Sequence, residues 1–151
     1  MTRRVIELKE PPATGRLLVK GLAGAIGKRG GRIAALPEVV YLLEDAGQDV
    51  GRLAAYDHLT GFALADSVPA TWLHVQTFPL QAALLAADEF PFPLAGLVHV
   101  SNTMTLHRPV GVGERLRITV QAEGLAPHAK GATFDMVSRI KVGDETVWEG
   151  S

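Results

Sequence analysis

Between Trp72 and Pro109 the spacing of apolar residues changes period once, from that of a helix to that of a strand. Pro79 suits a first helical position, because its fixed φ is already helical and its missing N–H would have no partner there. Leu80, Ala83, Leu84 and Ala87 then recur at i, i+3, i+4 and i+7, one helical face. Ala82, Leu85 and Ala86 make the opposite side apolar too, and a helix apolar nearly all round is a buried helix. EFPFPLAG closes it. From Leu97 the period is two. Val98, Val100, Met104 and Leu106 point one way, and His99, Ser101, Thr103, Thr105 and His107 the other. That pattern predicts a long strand with one face on a core and one in water.

The flanking stretches fit around this unit. Met1 to Pro12 has no clear pattern. RLLVKGLAGAIGK, Arg16 to Lys28, reads as a basic amphipathic helix with Leu17, Leu18, Leu22 and Ile26 on its apolar side, weakened by internal glycines. GKRGGR follows as a flexible link. The charges at Arg16, Lys20, Lys28, Arg29 and Arg32 suit a solvated helix packed on the domain. They also suit attraction for the phosphates of a nucleotide-bearing substrate. Val39 to Glu44 predicts a strand. Asp49 is a good N-cap for a helix over Val50 to Thr60, which Gly61 stops. After VGVGE, Leu116, Ile118, Val120 and Ala122 alternate with polar residues. GLAPHAKG reads as a longer hairpin loop, and Phe134, Met136, Ile140 and Val142 form the inner face of the next strand. Gly143-Asp144 is a tight-turn signal before a last strand from Glu145 to Trp148. The domain expectation is a basic N-terminal segment over 1–35 and one folded domain over 36–151. The sequence ends at Gly150-Ser151 straight after a strand, which sets the expectation that the natural protein continues.

Composition removes several function classes. At 151 residues there is room for one domain with a core. A net charge of −1 leaves no electrostatic footprint for nucleic acid. With no cysteine there is no disulfide, thiolate metal site or cysteine nucleophile. No apolar run reaches the roughly 18 residues of a membrane span, and MTRR is not followed by an apolar signal segment. The expectation is a cytoplasmic protein without membrane or nucleic-acid partners, cofactor or metal.

The runs YDHLTGF, VPATWLHVQTFPLQ, FPFPLAGLVHVSNTMTLHRPV and GERLRITV carry a resemblance. Over Leu36 to Glu149 the chain resembles the MaoC-like (R)-specific enoyl-thioester hydratases and dehydratases, and most of all the N-terminal half of their double hot-dog members. The resemblance implies an α+β hot-dog fold, an antiparallel sheet wrapped around one long apolar helix. Active members carry a run like Y-x-x-x-[ST]-G-D-x-N-P-x-H. Its Asp and His flank a water and serve as acid and base when it adds across a trans-2-enoyl thioester. Here Tyr56, Thr60 and Gly61 match, but Phe62 follows them, and no Asp has a His five residues later. The dyad is missing, as in the N-terminal halves that shape an acyl pocket while the C-terminal half carries the chemistry.

Candidate site residues follow. His74-Val75 aligns with the His-Gly that opens the central helix in active members, where a backbone N–H helps hold the thioester carbonyl. His74 also reads as a polar loop residue bonded to backbone. Asp66 with His74 is a weak dyad candidate assembled in space. Asn102, on the apolar strand face, reads either as a bonded core amide or as a polar group inside the pocket. His74, Val75, Phe78, Phe92 and Asn102 are the expected substrate-binding residues, and Pro79 to Phe92 the apolar walls of a tunnel. His99 and His107 read as exposed, and adjacent Asp57 and His58 diverge.

The expected function is acyl-thioester binding, on coenzyme A or acyl carrier protein, as the non-catalytic half of an enoyl-thioester hydratase or dehydratase. The rivals are a stand-alone hot-dog thioesterase, with Asp66 or another carboxylate activating water, and a pseudo-enzyme used for assembly. The free edge of the Leu97–Leu106 strand predicts a homodimer or pairing with a second hot dog.

Overall fold

The structure, a computed structural model, describes residues 3–24 and 35–151. Nine elements follow in chain order: β1 (Arg4–Leu8), α1 (Thr14–Gly24), β2 (Val39–Ala46), α2 (Val50–Thr60), α3 (Ala70–Ala86), β3 (Met104–Leu106), β4 (Leu116–His128), β5 (Gly131–Val142) and β6 (Glu145–Gly150). The strands form one six-stranded sheet in the order β1-β2-β4-β5-β6-β3. α3 lies in the sheet's concave face, with Leu73, Leu80 and Leu84 fully buried. Opposite them are Leu116, Ile118, Val120 and Ile140 of the sheet, all within one core cluster. This is the expected hot-dog fold.

Burying one side chain of this size stabilises by roughly 1.5–3 kcal/mol, so three leucines on one helix outweigh most local flaws. α3 has such a flaw. It starts at Ala70, after Pro69 in an extended N-cap conformation, and Pro79 lies inside it. The reading of Pro79 as the first helical residue is therefore corrected. An interior proline lacks the N–H owed to Val75 and costs about 3 kcal/mol. Trp72 and Leu73, buried ahead of it, explain why the helix reaches back past Pro79.

The structure differs from expectation in four further places. First, Met1 to Pro12 is not patternless: Arg4–Leu8 forms β1, pairing in parallel with β2 from Arg4↔Val39 to Leu8↔Leu43. The sheet is mixed rather than purely antiparallel, because a parallel neighbour needs a crossover, and α1 lies on that crossover. The sheet thus takes in residues before position 36. Second, α1 spans Thr14–Gly24; Ile26 and GKRGGR lie outside the described residues. Third, GLAPHAKG is no long loop. β4 and β5 run through it to His128↔Gly131, with a register shift between Glu123 and Ala126. Gly124, at φ 68°, supplies the left-handed conformation beside that bulge.

The fourth difference is the largest. The long strand from Leu97 shrinks to Met104–Leu106, paired with β6. Val98 and Val100 are 80% and 81% exposed, so neither faces the core. The reason is a missing neighbour. Thr103 exchanges both backbone bonds with Ser151, and no described strand lies beyond to pair with residues 97–102. α2 is as expected: the Asp49 side chain accepts from Arg52 N at 3.0 Å, and Gly61 ends the helix at φ 80°.

Leu84 is fully buried in the core, from which Val100 stands apart. Leu84→Ala should lower unfolding free energy by about 2–5 kcal/mol, from lost transfer energy and an unfilled cavity. Urea denaturation measures it. A loss under about 0.5 kcal/mol, the scale of a surface change, would remove α3 from the centre of the fold.

Candidate functional site

The family frame at the start of α3 is built from α2. Tyr56 reaches across so that its hydroxyl meets Thr71 Oγ1 at 2.6 Å, and its ring packs on Trp72 at 5.4 Å between centroids. Thr60 donates to the Tyr56 carbonyl at 2.7 Å. Gly61 turns the chain, and Phe62 comes back to stack on Tyr56 at 6.3 Å with the rings 14° apart. Phe62, at the position of the frame's carboxylate, is 46% exposed. Ser67 stands five residues on, where the frame has histidine; it is exposed, and its backbone bridges to Gly111. A phenyl ring accepts no proton and a serine hydroxyl stays neutral near pH 7, so neither residue replaces the acid–base pair.

Asp66 and His74 do not form a pair. Asp66 is exposed, its carbonyl accepts from Val112 N at 3.0 Å, and no hydrogen bond joins its carboxylate to His74. His74 is not a loop residue; it lies in α3, half-buried, with its ring 6.1 Å from Trp148. Burial, then the neighbouring His99 charge, pushes its pKa below the ordinary value. Val75 sits in the second turn of α3, where the α-helical pattern directs its N–H at the Thr71 carbonyl. An oxyanion role for that N–H is therefore not open.

The remaining candidates scatter. Phe78 is 44% exposed on α3. Phe92 is half-buried and stacked on Phe134 at 5.7 Å with Phe90 edge-on at 6.2 Å. Asn102 is exposed in the stretch before β3, so neither the core-amide nor the pocket reading fits its place here. His107 is bonded to Glu149 at 3.0 Å. A cleft of about 340 Å³ between Arg3, Glu38 and Glu123 shares no residue with these candidates. Among the described residues no cluster of His, Asp and Glu is arranged to hold a metal ion.

The sequence reading missed one polar group in the interior. Thr77 and Ser138 are fully buried, and Gln81 bonds to both. The signal was present: period-two counting from Met136 to Ile140 puts Ser138 on the inner face of β5. Asp57 diverges from its neighbour His58 as expected and lies in the interior. It is 4% exposed and its Oδ1 has no partner, while His58 is exposed.

No family model matches the chain. A curated relative, 3-hydroxyacyl-thioester dehydratase X of Mycobacterium tuberculosis, is 32% identical over 117 residues, 78% of this chain and 42% of the relative. A crystal structure of HtdX from that organism superposes with a TM-score of 0.69 at 32% identity, covering 74% of this chain and 48% of that one. A structure of the HadBC (3R)-hydroxyacyl-ACP dehydratase complex shares the fold, with a TM-score of 0.51 at 16% identity over 71% of this chain and 86% of that one. The molecule is a hot-dog protein by its helix and sheet. Among hot dogs it is similar to the MaoC-like dehydratases, and it spans less than half the length of the curated relative it matches.

The lowered His74 pKa gives a prediction with a definite sign. Below about pH 6.5 the unfolded chain takes up a proton at His74 that the folded chain refuses, so this group's contribution falls with pH there and levels off below the folded pKa. Glu44, Asp45, Glu114 and Glu149 are held low by hydrogen bonds from Arg117, Arg115, Arg108 and Arg139, so their contributions disappear only lower, through the carboxylate range. His74→Gln should flatten the urea midpoint between about pH 7 and 5 relative to wild type. Parallel curves would show that His74 titrates as it does in the unfolded chain.

Proposed function

We propose that this chain is an acyl-thioester-binding hot dog, the non-catalytic half of an (R)-specific enoyl-thioester hydratase or 3-hydroxyacyl-thioester dehydratase. The observation that carries the reading is the frame without its chemistry. Tyr56, Thr60 and Gly61 stand as in active relatives, while Phe62 and Ser67 occupy the acid and base positions. The apolar stretch from Pro79 to Phe92 supplies walls for an acyl chain, on coenzyme A or acyl carrier protein. A catalytic partner half, continuous with this chain or separate, would bring the Asp and His. The cytoplasm, where such carriers work, is the proposed location. No described helix is long and apolar enough to cross a membrane.

Pairing with a second hot dog is part of the reading. Val98 and Val100 stand exposed on a segment whose backbone has no ladder partner among the described residues, and such edges are seldom left open. The partner is another copy or the catalytic half. In light scattering the chain alone should run as a dimer at micromolar concentration. A monodisperse monomer there would leave copy-to-copy pairing without support.

The activity test has a negative expectation. The purified chain, mixed with crotonyl-CoA and longer enoyl-CoAs, should not consume the conjugated thioester above the buffer rate. General acid–base help contributes about 10²–10⁴-fold and needs a positioned proton donor and acceptor. A long-chain acyl-CoA should nevertheless raise the melting temperature. Turnover that disappears in Asp66→Asn or His74→Ala would overturn the reading and reveal a dyad within this domain.

A further inference from the structure

α3 is apolar on most of its surface, yet Thr77 and Gln81 face β5 one turn apart, with His74 a turn before them. Thr77 Oγ1 donates to the His74 carbonyl at 2.8 Å. A hydroxyl has one proton, so toward Gln81, 3.0 Å away, the Thr77 oxygen can only accept. That requirement decides which way the Gln81 amide faces: its NH2 must point inward. The second amide proton goes to Ser138 Oγ, also at 3.0 Å. Both donors of Gln81 are thus committed to a fully buried pair, which fixes the amide plane. Oε1 points away from that pair and receives no hydrogen bond from any described residue.

A fixed acceptor on a half-buried side chain of an apolar helix is selective toward any chain that covers it. A methylene laid against it leaves the oxygen unpaired, and a hydroxyl satisfies it. Phe78, three residues earlier and on the same side of α3, adds an exposed phenyl surface next to the acceptor. Gln81 lies seven to eleven residues beyond His74 and Ala70, roughly 10–16 Å along the axis at 1.5 Å per residue. A chain held by its thioester near the first turns of α3 would pass Gln81 far from its reacting carbons.

We propose that Gln81 Oε1 accepts a hydrogen bond from a hydroxyl carried far along the acyl chain, so that the domain prefers distally hydroxylated acyl thioesters over plain ones. Thr77 and Ser138 are positioning residues for that amide. The inference rests on the acyl-thioester reading above and adds a substrate class to it.

The test uses the full chain and calorimetric titration with decanoyl-CoA, tetradecanoyl-CoA and their ω-hydroxy counterparts. At one chain length the hydroxylated form should bind roughly 3- to 10-fold tighter, the value of one neutral hydrogen bond. Gln81→Met keeps the length of the side chain and removes the acceptor, and should bring that ratio to about one. Ser138→Ala frees the amide and should shrink the ratio, an effect that a purely structural pin would not have. If Gln81→Met fails to fold, the wild-type ratio and Ser138→Ala decide. Plain and hydroxylated chains binding equally to wild type would overturn the proposal and leave the acyl reading standing, as would a preference that survives Gln81→Met. No binding of any acyl-CoA would remove both.

Discussion

The structure depends on the burial of α3. Leu73, Leu80 and Leu84 are fully buried, and the strands that carry Leu116, Ile118, Val120 and Ile140 curve around them. Each such side chain contributes roughly 1.5–3 kcal/mol on leaving water. That scale explains why a proline at position 79 does not end the helix. The lost bond and ring clash cost about 3 kcal/mol, less than the leucines on either side return together. It also explains why the helix direction is certain while its start is not. Burial is set by the whole face, whereas a helix terminus is decided by one or two backbone bonds.

The edges follow a different rule. β4, β5 and β6 each have two strand neighbours, and their pairing runs nearly unbroken. β3 has one neighbour and pairs over only three residues. Around that edge the side-chain bonds are polar and only part-buried: Arg108 grips Glu114 with both terminal nitrogens at 3.0 Å, and Glu114 in turn accepts from Gly111 N at 2.7 Å. Ion pairs this close to the surface contribute modestly to stability. Their use here is geometric: they hold the VGVGE turn in the one shape that brings β4 alongside the sheet.

What was legible in the sequence divides along the same line. The central helix, α2 with Asp49 and Gly61 at its ends, and the alternation of β4 could be read because each is a periodic pattern or a local backbone requirement. β1 could not. Five residues reading RVIEL carry too little alternation, and their strand exists because β2 offers an edge from a segment more than thirty residues away. The stretch from Leu97 misled for the converse reason. Its alternation is that of a strand, but alternation says only that two faces differ, and whether a neighbour is present to define the buried face is a tertiary fact. Among site residues, the loss of Asp and His was readable directly. The placements of His74 and Val75 were not, because both depended on where α3 begins.

The family frame separates into two physical parts. Tyr56, Thr60 and Gly61 have work in the fold that is independent of any reaction. Tyr56 ties α2 to Thr71 and packs on Trp72, Thr60 bonds back to the Tyr56 carbonyl, and Gly61 adopts φ 80°, which a side chain would oppose. Replacing any of them disturbs the junction between α2 and α3. Positions 62 and 67 lie in the exposed link between the two helices, and no buried contact there demands a carboxylate or an imidazole. A phenylalanine at 62 even gains a stacking partner in Tyr56. The same scaffold therefore stands whether or not those positions hold an acid and a base. The fold and the apolar helix at its centre do not depend on which residues occupy positions 62 and 67.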